Sequence, residues 1–189
     1  MTRTKITRRG GEEWGATFSD CGQYRYKLWR EWDKSLPRAV FCLMNPSTAD
    51  ENVNDPTVEK QYRRVVQWAD LRDFHIGRLD IVNVFAFRET YSTLLSGYLA
   101  SGIDLVGPEN DQAILTACHG AEIVVCGWGE VGMLAGRGNT VLKMLRDHGI
   151  VPNAIRVNND GSPTHPGRLS YVLPATPIFP DDLPHPKMA

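Results

Sequence analysis

The chain has 189 residues, of which 42% are hydrophobic and 23% are charged, and its formal net charge at neutral pH is -1. This length is enough for one domain with its own core and too short for two domains of ordinary size. No apolar run approaches the roughly 20 residues that cross a bilayer, which excludes a membrane-spanning helix. The near-zero charge gives no general attraction for nucleic acid, so such a partner requires a local cluster of Arg and Lys.

The cysteines Cys21, Cys42, Cys118 and Cys126 form no C-x-x-C pair. This spacing favours reduced side chains in or near the core over a zinc or iron–sulfur site. The amino terminus has no apolar stretch that would serve as a secretion signal. We therefore expect a cytoplasmic monomer that binds no metal, no cofactor and no membrane.

Residues 1–12 are charged and contain glycine, which predicts a flexible arm. Residues 14–19 and 24–32 are alternating runs on either side of Asp20-Cys21-Gly22-Gln23, and this pattern predicts a β-hairpin. A single domain is expected over residues 13–173. Five prolines occur from residue 174 onward, so we expect a Pro-rich, irregular tail over 174–189.

Short apolar runs at 38–44, 79–85, 122–128 and 154–157 are typical of strands buried on both faces of a parallel sheet. Helices are predicted between them: one from Asp55, the N-cap, and Pro56 to about residue 71, and others at 108–118 and 140–148. This alternation predicts an α/β three-layer sandwich. Its central sheet would be four-stranded and mostly parallel, flanked by helices, with the N-terminal hairpin added.

Ligands of such sheets gather at the carboxyl ends of the strands, so the residues after each apolar run are the candidate site. The four segments are Met44-Asn45-Pro46-Ser47-Thr48, then Asn83 with Phe85-Ala86-Phe87-Arg88, then Gly127-Trp128-Gly129, and Thr164-His165-Pro166-Gly167-Arg168-Leu169-Ser170. Taken singly, each has a structural explanation. Asn45-Pro46 is a common turn, Asn83 is a polar group that its neighbours can satisfy, and His165 is a loop histidine.

In this order the four segments resemble the motif series of the uracil-DNA glycosylase superfamily. Met44-Asn45-Pro46-Ser47 looks like its Asn-Pro turn, residues 81–83 look like its base-recognising strand, and residues 165–170 look like its late His-Pro loop. The chain also resembles an uncharacterised bacterial and phage family, the domain of unknown function 1643, in its Asn-Pro-Ser-Thr-Ala-Asp, Gly-Pro-Glu-Asn-Asp and His-Pro segments. The superfamily resemblance implies a DNA partner, a uracil-DNA glycosylase-like fold and a hydrolase of N-glycosidic bonds.

That chemistry assigns roles to particular residues. His165 would stabilise the charge on the departing base, and Asn45 would orient the attacking water, with Asp55 as a candidate base for that water. The remaining candidates share a role in holding the flipped nucleotide. Asn83, Phe85, Phe87, Pro46, Ser47 and Thr48 would contact the base, and Arg88, Arg168 and Ser170 would contact DNA phosphates.

The segment after the first strand lacks the Gly-x-Asp-Pro-Tyr form of the uracil-removing enzymes, in which the Tyr blocks bulkier pyrimidines. Ser47 and Thr48 are smaller, so we expect a pocket that admits a modified pyrimidine, as found in phage DNA, and a role in defence against such DNA. Two other functions stay open. One is a non-catalytic nucleic-acid-binding module, and the other is an N-glycosidase acting on free nucleosides or nucleotides.

Overall fold

The computed structural model describes residues 1–178, and the end of the predicted Pro-rich tail, residues 179–189, lies outside them. Across the described part of the chain the strands are β1 (Thr2–Arg9), β2 (Glu12–Ser19), β3 (Arg25–Glu31), β4 (Arg38–Leu43), β5 (Arg78–Asn83), β6 (Ile123–Gly127), β7 (Pro152–Ala154) and β8 (Thr176–Pro177). The α-helices are α1 (Pro56–Arg72), α2 (Leu95–Ala100), α3 (Asn110–Cys118) and α4 (Arg137–Asp147).

All of these strands belong to one sheet, in the order β1-β2-β3-β5-β4-β6-β7-β8. The pairs β1–β2, β2–β3, β3–β5 and β7–β8 are antiparallel, whereas β5–β4, β4–β6 and β6–β7 are parallel. The predicted uracil-DNA glycosylase-like fold, a three-layer sandwich around a mostly parallel four-stranded sheet, is therefore wrong. The described sheet is mixed, has eight strands and is mostly antiparallel by its pairings.

The predicted flexible arm is also wrong, because most of it is strand β1. This strand pairs with β2 along its whole length, from Thr2 opposite Ser19 to Arg9 opposite Glu12. Its side chains are almost all exposed, so it lacks the apolar face from which a strand is recognised in a sequence. Backbone hydrogen bonds to β2 define it instead. Strand β8 likewise lies inside the predicted irregular tail and pairs with β7.

The core consists of two hydrophobic clusters on opposite faces of the sheet, and successive side chains of β4 alternate between them. Phe41 and Leu43 belong to the cluster that contains Trp68 of α1. Val40 and Cys42 belong to the other cluster, which includes residues of α3 and α4. Because both faces are covered, this strand is apolar at every position after Arg38, as predicted.

Helix α1 begins as the sequence predicted. Asp55 Oδ1 accepts a hydrogen bond from the Val58 amide at 2.8 Å, and Pro56 is the first helical residue. The buried residues of the helix are Val58, Gln61, Arg64, Val65 and Trp68. Two of them, Gln61 and Arg64, are polar. None of the helices in residues 1–178 is long and apolar enough to span a bilayer.

Candidate functional site

A large cleft opens at the carboxyl ends of β4, β6 and β7, with a volume of about 980 Å³. We call it the main cleft. It is formed by loops that follow these strands and by one residue from the segment after β5: Met44, Ser92, Trp128, Gly129, Glu130, Val131, Arg156, Val157, Asn158, Asn159, Asp160, Thr164, His165, Arg168 and Leu169. Of the residues given a role from the sequence, His165 and Arg168 line it, and so do five other residues of the predicted strand-end segments: Met44, Trp128, Gly129, Thr164 and Leu169.

His165 begins the loop that closes one side of the main cleft. Its Nδ1 accepts a hydrogen bond from the Gly167 amide at 3.2 Å, which requires an unprotonated Nδ1 and leaves Nε2–H as the donor of the neutral ring. Burial lowers the pKa of His165 below its ordinary 6.5, while the nearby Asp55 carboxylate opposes this shift. The imidazole is therefore held neutral at physiological pH, with one N–H available to a ligand.

Asn83 and Asp55 both interact with a buried arginine that was not among the sequence-predicted site residues. Arg25 is 2% exposed, and it donates from Nη1 to the Ala49 carbonyl at 2.7 Å and from Nη2 to Asn83 Oδ1 at 3.4 Å. Desolvation lowers the pKa of Arg25 to about 10, and the charge of Asp55 partly compensates. Because Asp55 acts on both Arg25 and His165, the start of β3, the start of α1 and the late loop lie near one another, and Asn83 joins the end of β5 to them.

Asn45 is partly buried and joins two of the strand-end loops. Its Nδ2 donates to the Glu89 carbonyl at 2.7 Å and to the Pro46 carbonyl at 3.1 Å, and the Glu89 amide donates back to Pro46 O at 3.0 Å. Its Oδ1 makes no hydrogen bond within the described part of the chain. The amide group is thus fixed by its nitrogen and keeps an acceptor for a further partner.

A second depression, the side depression, has a volume of about 360 Å³. Its lining comes from the turn before β3 and from the segments after β4 and β5: Gly22, Gln23, Ser47, Thr48, Phe87, Arg88, Glu89 and Thr90. Arg88 is exposed there, with Nη1 donating to the Gly22 carbonyl. Four sequence-predicted contact residues, Ser47, Thr48, Phe87 and Arg88, therefore share this depression and lie apart from the lining of the main cleft.

Phe85 does not fit its predicted stacking role in this conformation, because it is 2% exposed and belongs to the core. Phe87 is partly buried and packs edge-on against Tyr24 and Tyr98. The aromatic side chains predicted from the sequence to contact the base are thus mainly packing residues.

Ser170 is exposed, and its carbonyl accepts a hydrogen bond from Arg64 Nη1 at 2.7 Å.

Buried arginines attach the strand-end loops to the body of the fold. Arg64 of α1 donates to the carbonyls of Leu169 at 2.9 Å and Ser170 at 2.7 Å, and Arg30 of β3 donates to the Asp50 carbonyl at 2.6 Å. Arg137 of α4 donates to the Val84 carbonyl at 2.8 Å. Each arginine satisfies carbonyls that a loop leaves without partners, so the loops are held in fixed positions.

These arginines and eight of the fifteen residues that line the main cleft were not among the sequence-predicted segments. Arg64 had a signal, since it shares the buried stripe of α1 with Gln61, and polar residues at such positions need partners. The burial of Arg25 had no signal in the sequence, because an irregularity in the β2–β3 pairing between Thr17 and Phe18 places Arg25 opposite Phe18. The segment 156–160, which follows β7 and lines the main cleft, obeys the strand-end rule and was overlooked.

The main cleft carries both signs of charge, with Arg156 and Arg168 against Glu130 and Asp160. No cluster of three or more His, Cys, Asp or Glu side chains suited to a metal ion is found in residues 1–178. The fold and the cleft define a mixed α/β protein with a polar site at the carboxyl ends of its parallel strands.

Residues 25–167 match the family described as Protein of unknown function (DUF1643), and this match covers most of the chain. The chain belongs to that family. The matched segment contains the candidate site residues from Arg25 to His165. Comparison with curated proteins and with solved structures finds no match.

Proposed function

We propose that this protein is a DNA glycosylase that hydrolyses the N-glycosidic bond of a flipped, modified pyrimidine. The observation that carries the proposal is the position of a neutral histidine, a carboxylate and two amides, which lie on the late loop, at the N-cap of α1, in the turn after β4 and at the last residue of β5. His165 and Asp55 interact electrostatically, Asp55 also acts on Arg25, and Arg25 holds Asn83. A distant relationship to the uracil-DNA glycosylase superfamily belongs to the same proposal and rests on the order of the motifs.

In the proposed reaction the bond between C1′ of the sugar and the base nitrogen breaks, and its electron pair leaves with the base. Nε2–H of the neutral His165 donates a hydrogen bond to the base as this negative charge develops. A water held by Asn45 Oδ1 adds to the cationic C1′ and transfers its proton to the Asp55 carboxylate. One well-placed donor of this kind contributes a factor of about 10² to 10³ in rate.

Base recognition is assigned to Asn83. Asn83 is 2% exposed and lines neither depression, so a base must reach the buried end of β5 to contact it. Its Oδ1 lies 3.4 Å from Arg25 Nη2, and its Nδ2 makes no hydrogen bond within residues 1–178, so a donor remains for a pyrimidine oxygen. Ser47 and Thr48 border the side depression beside Asn45 and leave room for a substituent on the base. Such bases occur in modified phage genomes, which gives the proposed role in defence.

The test is to incubate the protein with DNAs that carry different bases, including modified phage genomes, and to measure released base by mass spectrometry and abasic sites by alkali cleavage. We expect His165→Ala and Asn45→Ala to reduce release at least about a hundredfold. His75→Ala and Asn139→Ala are matched controls, since both residues are exposed and lie outside both depressions. Equal activity in all four variants contradicts the proposal, and release of uracil alone contradicts the modified-base part.

Asp55→Asn separates the two roles of this residue. Asn caps helices about as well as Asp, so the cap should be kept, and any loss of stability should come from removing the charge that compensates the buried Arg25. Loss of a general base should lower the rate by about 10² to 10⁴. Unchanged turnover with Asp55→Asn would leave Asp55 as a cap alone.

A second candidate is an N-glycosidase acting on a free nucleoside or nucleotide. It is favoured by the balance of Glu130 and Asp160 against Arg156 and Arg168 in the main cleft, which gives little net attraction for a polyanion. Release of base from a mononucleoside, with none from polymer, would select this function.

A further inference from the structure

Tyr91 is the only aromatic side chain that is exposed among residues 1–178, and 69% of its surface is accessible. The other aromatic residues of the described chain are buried or partly buried. An exposed aromatic ring keeps its apolar face available for a ligand to stack on.

Its place in the chain puts Tyr91 between the two depressions. The preceding residue, Thr90, lines the side depression, and the following residue, Ser92, lines the main cleft. The backbone of residues 90–92 therefore runs from one depression to the other, and a ligand that extends between them crosses this segment. Arg88 in the side depression and Arg168 in the main cleft are exposed positive charges beside that path, and Glu89, Glu130 and Asp160 line the same two depressions.

The backbone that presents Tyr91 is fixed to the candidate catalytic turn. The Tyr91 amide donates to Glu89 Oε1 at 2.8 Å, and Tyr98 Oη donates to Glu89 Oε2 at 3.1 Å. The Glu89 carbonyl in turn accepts from Asn45 Nδ2. The carbonyl of Tyr91 accepts from the Leu94 amide at 2.9 Å. The ring is exposed on a rigid support, which reduces the entropy lost when a ligand stacks on it.

We propose that Tyr91 is a stacking platform for an unpaired nucleobase of a nucleic-acid strand that runs between the side depression and the main cleft. Every nucleobase has a π-face, so one exposed ring supports binding without selecting a sequence. Basic and hydroxyl groups on both sides suit the phosphates of that strand. This inference rests on the proposed function for its ligand and names a residue that the motif analysis did not include.

The experiment measures the affinity of the full chain for a single-stranded oligodeoxynucleotide with 2-aminopurine at one position, a base whose fluorescence changes when its stacking changes. The variants are Tyr91→Ala, Tyr91→Phe and, as a control, Val151→Ala. Val151 is an exposed apolar residue just before β7, at the amino ends of the parallel strands, whereas Tyr91 follows the carboxyl end of β5. Thermal unfolding checks that all of them fold.

We expect Tyr91→Ala to weaken binding by at least about fivefold and to remove the fluorescence change, because stacking on one aromatic ring contributes that much or more. Tyr91→Phe and Val151→Ala should bind within about twofold of the wild type. Equal binding by Tyr91→Ala, or no binding by the wild type, overturns the inference.

Base release measured on the same DNAs separates this inference from the proposed function. Tyr91-dependent binding without any base release supports the platform and refutes the glycosylase. Base release with binding that is independent of Tyr91 supports the glycosylase and refutes the platform.

Discussion

His165 illustrates how one side chain takes its properties from its surroundings. Its neutral state follows from burial, and its tautomer follows from the hydrogen bond that Gly167 donates to Nδ1. Neither is visible in a His-Pro dipeptide. The sequence marks the residue as a candidate, whereas the folded loop determines which nitrogen can donate.

The lowered pKa of His165 predicts a pH dependence of stability. Because the folded state binds this proton more weakly than the unfolded chain does, its contribution is complete above about pH 6.5, the ordinary value, and is lost as the pH falls towards the folded pKa. We expect His165→Gln to reduce the change in melting temperature between pH 7 and pH 5, as measured by circular dichroism. The exposed His75 provides the control, and a His75→Gln variant with the same effect would contradict the assignment.

Gly127, the last residue of β6, is required because the late loop approaches its backbone. A Cβ at this position would lie 2.7 Å from Pro166 Cδ and 3.3 Å from the Thr164 carbonyl oxygen. We expect Gly127→Ala to displace the neighbouring His165 and to cost about 1–3 kcal/mol in the free energy of unfolding. Since misplacement by about 1 Å can cost a hundredfold in rate, base release should fall by about that factor.

The control for this substitution is Gly97→Ala in α2. No atom lies within 4 Å of a Cβ built there, and alanine favours the helix. It should leave base release unchanged and stability equal or slightly higher. Similar losses in both variants would show that close packing at Gly127 is not the cause.

At the scale of elements, α1 does more than cover one face of the sheet. Its first residues follow Asp55, and its buried Arg64 holds the late loop by the carbonyls of Leu169 and Ser170. The helix thereby links the carboxylate and the histidine of the candidate site. We infer that a substitution that displaces this helix would also displace the late loop that lines the main cleft.

Arg64→Met tests that connection. It leaves the loop carbonyls without their donor, so we expect a loss of about 2–5 kcal/mol in the free energy of unfolding measured with urea. Arg63→Met is a matched control on the same helix, because Arg63 is exposed and pairs only with Glu59. Its effect should stay below about 1 kcal/mol. Comparable losses in the two variants would refute a role for Arg64 in holding the loop.

At the scale of the whole molecule, the sheet is continuous from β1 to β8 and passes between both hydrophobic clusters. The antiparallel strands are therefore expected to unfold together with the parallel ones. Trp14 lies in β2 and Trp29 in β3, whereas Trp68 lies in α1 and Trp128 lines the main cleft.

We predict a single urea transition, with the same midpoint by tryptophan fluorescence and by far-ultraviolet circular dichroism. The control is a variant in which Trp32, Trp68 and Trp128 are replaced by Phe, so that only Trp14 in β2 and Trp29 in β3 remain. Its fluorescence reports on the unfolding of the antiparallel strands alone. An earlier transition in that variant, with the circular dichroism midpoint unchanged, would show that strands β1 to β3 unfold as a separate unit.

The sequence by itself determined the parts of this protein that depend on local patterns. Apolar runs predicted β4, β5 and β6, Asp55 and Pro56 predicted the start of α1, and the strand-end rule indicated the loop that contains His165. These features are encoded within a few consecutive residues, because burial, capping and turn chemistry act over short distances.

Only the tertiary structure decided the rest. The pairing of β1 and β8, the burial of Arg25 and the separation of the main cleft from the side depression all depend on contacts between residues far apart in the chain. A backbone hydrogen bond across a sheet leaves no mark on side-chain composition, and a charged residue becomes buried only when distant carbonyls are brought to it. For the same reason the exposed position of Tyr91 could not be predicted from its neighbours in the sequence.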